Sequence, residues 1–300
     1  MIVSASRRTD IPAFYSEWFF KRLEEGFVMV RNPFNFHQVT KVPLTKNWVE
    51  GFVFWTKNPA RMMKKLYLLE EYPYYFLFTL NPYDKAIERN VPDKDLVIKI
   101  FQNLSKTIGR ERVIWRYDPI ILTPKFDIKY HVDSFKWLTS HLADFTEKCI
   151  ISFITFYPKV EKNLRKIGAH PVSREEKIEV ASKFYEIAKE NGIKIEVCAE
   201  EEDLSPFGVF PAKCVDKSLI ERISGKKLQV KKDKNQRKFC GCDESVDIGT
   251  YDTCLHGCIY CYANSSREAI RKNVKNFDIN SPLLCSHLVE GDIVREKIRA

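Results

Sequence analysis

Five of the nine cysteines fall within residues 240–261. The densest stretch is Tyr251-Asp252-Thr253-Cys254-Leu255-His256-Gly257-Cys258-Ile259-Tyr260-Cys261-Tyr262-Ala263-Asn264. Its spacing is C-x3-C-x2-C, with Tyr260 directly before the third cysteine. Three thiolates on one short loop can each bind one iron of a [4Fe–4S] cubane, leaving the fourth iron without a protein ligand. That iron can accept the amino and carboxylate groups of S-adenosylmethionine (SAM). A reduced cluster in such contact can pass an electron to the sulfonium, and the radical chemistry that follows is the cofactor's own. Gly257 lets the loop wrap closely, and Tyr260 is placed to pack beside an adenine. On this reading the chain is an enzyme acting on SAM and a second substrate, with ferredoxin or flavodoxin as reductant. Two alternatives stand beside it. One is a zinc site, which ordinarily draws four ligands from paired C-x2–4-C units; His256 or an upstream cysteine could complete it. The other is a four-cysteine cluster used only for electron transfer.

Cys198, Cys214, Cys240 and Cys242 make a second set, enough for another Fe–S cluster or a zinc ion, while Cys198 and Cys214 fit packed thiols equally well. Cys198 alone could instead donate a hydrogen atom to a substrate radical. Cys240-Gly241-Cys242 reads as too tight for a paired zinc unit. Cys149 and Cys285 read as inert buried thiols. Clustered cysteines in a reducing compartment are metal ligands before they are disulfides, so a cytoplasmic location is expected. No basic leader follows Met1, and no window reaches the ~18 apolar residues of a membrane span, so neither export nor a membrane partner is expected.

The elements that must position these residues are strands alternating with helices. Strand-like runs lie at 2–6, 27–31, 52–57, 74–80, 112–118, 149–155 and 194–200, with a weaker one near 246–251. Their near-continuous hydrophobicity suits strands covered on both faces. Asp10 with Pro12 and Gly26, Asn58-Pro59, Gly109, the capping box Ser173–Glu176 and Gly225 mark helix ends. Residues 33–50 break the alternation and read as an irregular or hairpin insertion. Seven or eight βα units in one chain predict an α/β fold, a TIM-like (β/α) barrel, with chemistry at the carboxyl ends of its strands. The 300 residues read as a single domain, with a barrel core over about 1–225 and a cysteine-rich segment over about 226–300.

The expected rim carries Arg7, Arg8, Thr9, Asp10, Arg31, Lys57, Asn58, Thr79, Arg116, Tyr117, Asp118, Thr155 and Glu200. Arg7, Arg8, Asp10, Lys57 and Asn58 are candidate cofactor-binding residues, together with Tyr260. Arg116, Tyr117, Asp118 and Cys198 are candidate catalytic residues. Arg116 and Asp118 stand out because they follow Val113-Ile114-Trp115, where an unpaired charge would be expensive. Each rim residue taken singly also fits helix capping or an ion pair.

The run from Asp247 to Asn264 resembles the domain-of-unknown-function family 1848. So do Ser4–Pro12, Val53–Pro59, Trp115–Pro119 and Lys231–Arg237. The resemblance spans nearly the whole chain. It implies a C-terminal cysteine cluster of the kind that radical SAM enzymes carry near their N-terminus, but no substrate. The Cys-x2-Cys-Tyr-Ala-Asn portion is also similar to the motif of spore photoproduct lyase and its radical SAM relatives. Those barrels place the triplet after their first strand. If 246–251 is the last strand and lies beside 2–6, the cluster loop occupies the same place in a circularly permuted order. No Gly-Gly-Glu segment is present to take the SAM amino group; Arg7, Arg8, Thr9 and Asp10 stand where it would be.

The net charge is +9. Lys226–Lys238 is strongly basic, which suits a solvated loop and also admits a polyanion, so nucleic acid is a candidate partner. A nucleic-acid-binding protein with a structural zinc or Fe–S site is therefore the competing function. The run lacks the aromatics that would stack bases.

Overall fold

The computed structural model describes residues 1–298. Its strands in chain order are β1 (Ile2–Ala5), β2 (Phe27–Arg31), β3 (Gln38–Pro43), β4 (Gly51–Thr56), β5 (Tyr74–Thr79), β6 (Val113–Ile120), β7 (Lys148–Phe153), β8 (Lys194–Val197), β9 (Phe210–Pro211), β10 (Ser245–Asp247) and β11 (Ile293–Glu296). Eight of them form one parallel sheet in the order β10-β1-β4-β5-β6-β7-β8-β9, so the fold is α/β. The two edges, β10 and β9, are not hydrogen-bonded to each other among the described residues, and the sheet is not closed.

Strand alternation sorts the side chains into two apolar layers. Phe52, Phe54, Phe76, Phe78, Val113, Trp115, Tyr117 and Ile151 pack against helices. Those helices include Ser16–Glu25, Lys94–Ile108, Ile128–Leu142 and Arg174–Glu190. Trp115 and Phe184 both stack on Phe135, with ring planes 11° apart in each pair. Each of these buried rings contributes about 1.5–3 kcal/mol. Ile2, Val53, Tyr75, Leu77, Ile114 and Ile150 face the other way, onto Cys214, Val215, Leu219, Ile220, Cys240 and Cys242. The helix Lys217–Ser224 and the chain around it therefore cover the inner face of the sheet.

Most expected elements are present. The helix caps at Asp10, Ser173, Asp216, Gly26 and Gly225 form as their residue types dictate. Phe27–Arg31 is the exception. It is a strand, but it pairs antiparallel with β3, and β11 completes a separate three-stranded sheet. A connection of only a few residues allows a hairpin and forbids a parallel crossover. Arg31 accordingly leaves the expected rim and holds Asp292 at 2.7 Å instead. The cysteine-rich segment contributes to both sheets: β10 joins the main sheet beside β1, and β11 joins the hairpin. No helix of the described residues is long and apolar enough to cross a membrane.

Candidate functional site

The carboxyl ends of β1, β4, β5, β6 and β7 open on one mouth. Because Ile114 faces inward, Arg116 and Asp118 do too, two and four residues on. They pair with each other, and Ser152 Oγ donates to Asp118 Oδ1 at 2.5 Å. Two guanidinium groups lie against the Trp55 ring, Arg116 at 4.8 Å and Arg7 at 5.4 Å, and Trp55 donates to Ser4 Oγ at 3.0 Å. Tyr117 has the opposite parity. It is fully buried under the helices, and its hydroxyl meets His131 Nδ1 at 2.8 Å. Its expected catalytic role is therefore corrected to a core role.

Asp247 knits β10 to β1. It accepts from Ser4 Oγ (3.0 Å), Ser6 Oγ (2.6 Å) and the Arg7 backbone N–H (2.8 Å). The chain then turns at Gly249, where a Cβ would lie 2.0 Å from Ser6 Oγ. Arg8 reaches the Gly249 carbonyl at 3.4 Å and lies over the Tyr251 ring. This turn delivers Cys254, Cys258 and Cys261 to the mouth.

Two buried polar clasps hold the cysteine loop. In the first, Asp10 accepts from Ala13 N (2.9 Å), Lys57 N (2.7 Å) and His256 Nε2 (2.7 Å). In the second, Glu88 accepts from Lys57 Nζ and Lys94 Nζ, both at 2.8 Å, from Asn81 Nδ2 at 3.1 Å and from the Tyr260 hydroxyl. Burial alone would raise the Glu88 carboxyl, but the two ammonium groups overcome it and hold it at about 2. Glu88 also bridges Cys258 through the backbone, and Asn90 N–H bonds the His256 carbonyl. Gly257 sits at φ +67° against Asn90, a conformation that favours glycine.

Cys254 is buried, and Cys258 and Cys261 are half-buried. Burial pushes all three thiols up, Cys258 to about 12, and the charge of Cys261 adds to the rise at Cys254 and Cys258. Thiols of this kind give up their protons to a metal rather than to water. Among the described residues, no three His, Cys, Asp or Glu side chains enclose a point where a single ion would sit. A cubane asks for something different, since each cysteine takes its own iron. His256 Nδ1 and Asn264 Oδ1 on this loop are buried without a partner, as are Thr9 Oγ1 and Arg116 Nε at the mouth. Such groups in a native fold are met by an ordered water or a bound group. The residues thus fit a bound polar group.

The expected residues divide clearly. Arg7, Arg8, Asp10, Lys57, Arg116 and Asp118 gather around the triplet, as does Tyr260, whose hydroxyl is engaged by Glu88 and Asn81. Asn58 turns its amide oxygen onto Ala60 N at 3.2 Å, a local turn just ahead of Pro59, the N-cap of the short helix Ala60–Met63. Cys198 stands across the mouth, beside Cys214, and Arg237 of the basic run reaches Thr155 there. Glu88 and Asn81 were not legible beforehand. Asn81 directly follows a buried strand, which marked its position, but Glu88 in Lys85-Ala86-Ile87-Glu88-Arg89 reads as a solvated charge.

A family model described as a domain of unknown function, DUF1848, matches residues 2–263. The chain belongs to that family. The DUF1848 match takes in the whole cysteine loop and stops before the helix Arg267–Val274. No curated protein matches the chain. Among solved structures, a putative alpha-L-fucosidase from Bacteroides thetaiotaomicron is similar at 14% identity and a TM-score of 0.32. The likeness covers 76% of this chain and 84% of that one, and it carries no argument about fold or activity.

Proposed function

We propose that this chain is a radical SAM enzyme in which Cys254, Cys258 and Cys261 hold a [4Fe–4S] cluster at the mouth of a (β/α) barrel. The supporting observation is the place of the triplet. It follows the strand that pairs with β1, and the mouth it enters carries Arg7, Arg116 and Asp118. In this reading the parallel sheet is a barrel opened between β9 and β10, with the order of a radical SAM barrel circularly permuted. When bound, the cluster supplies the electron that cleaves SAM. The protein's own residues do the rest. Asp10, His256, Asn264 and Glu88 fix the loop. Arg7, Thr9 and Arg116 orient an anionic group by charge and hydrogen bonding. Trp55 and Tyr260 wall the mouth against water.

Anaerobic reconstitution with iron and sulfide tests this. About four irons per chain are expected, with an EPR signal that changes on adding SAM and 5′-deoxyadenosine formed with reduced flavodoxin. Cys258→Ala should abolish all three. An iron-free protein, or a signal indifferent to SAM, rejects the reading. Salt-sensitive binding to nucleic acid would place the substrate in that class.

A further inference from the structure

Cys198, Cys214, Cys240 and Cys242 come from three separate stretches of chain and meet on the inner face of the sheet. Cys214 Sγ is 3.6 Å from Cys198 Sγ. Cys242 lies near enough to Cys214 and to Cys240 to act on both thiols. Three of the four are buried. The four form one group and, as they stand, do not enclose a common point.

We propose that these four cysteines bind a single tetrahedral ion of the zinc class, which draws the four thiolates together. A Zn–S bond of about 2.3 Å places two thiolates of a tetrahedron about 3.8 Å apart. The Cys198–Cys214 separation lies close to that edge. In a cubane, neighbouring cysteines bind different irons and stand farther apart, so a second Fe–S cluster fits less well. The tight Cys240-Gly241-Cys242 spacing, which the sequence argued against, places both side chains at the same site.

Two further observations point the same way. Four thiolates on a divalent ion carry a net charge of −2, and three guanidinium groups face them. Arg237 Nη2 lies 3.9 Å from Cys198 Sγ, Arg116 acts on Cys198 and Cys214, and Arg7 acts on Cys214 and Cys242. The Val215 N–H also donates to Cys242 Sγ at 3.4 Å. Second, residues 226–244 hold little regular structure beyond the Lys232–Asp243 bridge, and they are rich in lysine, yet they bury Cys240 and Cys242. A stretch that buries so little apolar surface gains its folding energy from a metal crosslink.

The inference does not rest on SAM chemistry. The test is to strip the full chain with a chelator and titrate it with Co²⁺, then with Zn²⁺. About one Co²⁺ per chain is expected, with thiolate-to-cobalt charge-transfer absorption that Zn²⁺ displaces. Cys214→Ser with Cys242→Ser should lose the band, while Cys254→Ala with Cys258→Ala and Cys261→Ala should keep it. If the first variant does not fold, alkylation of the native chain decides the matter. Zn²⁺ should protect Cys198, Cys214, Cys240 and Cys242 together, and a chelator should expose them together. Protection that ignores Zn²⁺, a cobalt band that survives in the quartet variant, or acid-labile sulfide held by these four cysteines would overturn the proposal.

Discussion

Asp10 and His256 are 246 residues apart in the chain and 2.7 Å apart in space, both almost fully buried. The carboxylate that caps the first helix is therefore also the anchor of the cysteine loop.

Asp10→Ala leaves Ala13 N, Lys57 N and His256 Nε2 without their acceptor. Each buried donor left unpaired costs about 1–3 kcal/mol. Urea unfolding of the reconstituted protein should show a loss of at least about 3 kcal/mol. Iron retained after desalting should fall in parallel, and Asp10→Asn should recover part of both. A variant as stable as the parent would mean the clasp is idle.

Two buried groups set separate acid windows. Burial holds the His131 imidazole at about 4 against an ordinary 6.5. Its bonds fit a neutral ring, donating from Nε2 to the Ile121 carbonyl and accepting the Tyr117 hydroxyl at Nδ1. The unfolded chain binds this proton first, so stability present above pH 6.5 is lost as pH falls to about 4. The window is worth on the order of 3 kcal/mol. Glu88 is held at about 2 against 4.5, so its contribution is full above pH 4.5 and is lost as pH falls towards 2. Denaturation across pH 7 to 2.5 should show both losses. His131→Gln should remove only the upper one and Glu88→Gln only the lower. At pH 7, Glu88→Gln should also cost about 3–5 kcal/mol, because Lys57 and Lys94 are left buried without their anion.

Tyr117 and Arg116 are neighbours in sequence with opposite fates. Tyr117→Phe should lose one hydrogen bond, about 1 kcal/mol of stability, and leave 5′-deoxyadenosine formation unchanged. Arg116→Gln should keep its iron but lower that rate by about tenfold or more, a barrier change of at least 1.4 kcal/mol. The reverse pattern would return Tyr117 to the mouth.

Gly257→Ala places a side chain at φ +67°, which costs about 1–2 kcal/mol. Thermal unfolding should register this as a lower midpoint. Because the added Cβ would lie 3.3 Å from Asn90 Nδ2, the bond from Asn90 to the Leu255 carbonyl should loosen as well. Faster amide exchange over the loop in the variant would report it, and an unchanged midpoint would speak against the strain.

The sequence by itself determined whatever depends on near neighbours along the chain. Apolar runs such as Tyr74-Tyr75-Phe76-Leu77-Phe78 can only be a strand buried on both faces, and Ser173 with Glu176 can only open a helix cheaply. The cysteine spacing and the pairing of β10 with β1 were legible for similar reasons, since βα alternation leaves few places for a last strand. The tertiary structure alone decided which side of a strand meets solvent and which distant segments meet each other. Parity turned Tyr117 under the helices to His131 and Arg116 towards the mouth, while a short connection sent β2 into a second sheet. Glu88 became a buried acid, and four scattered cysteines became one group, because long-range packing brought lysines, arginines and thiols together. Local pattern carries face and period; the partner across space depends on chain closure over hundreds of residues, which no window of sequence contains.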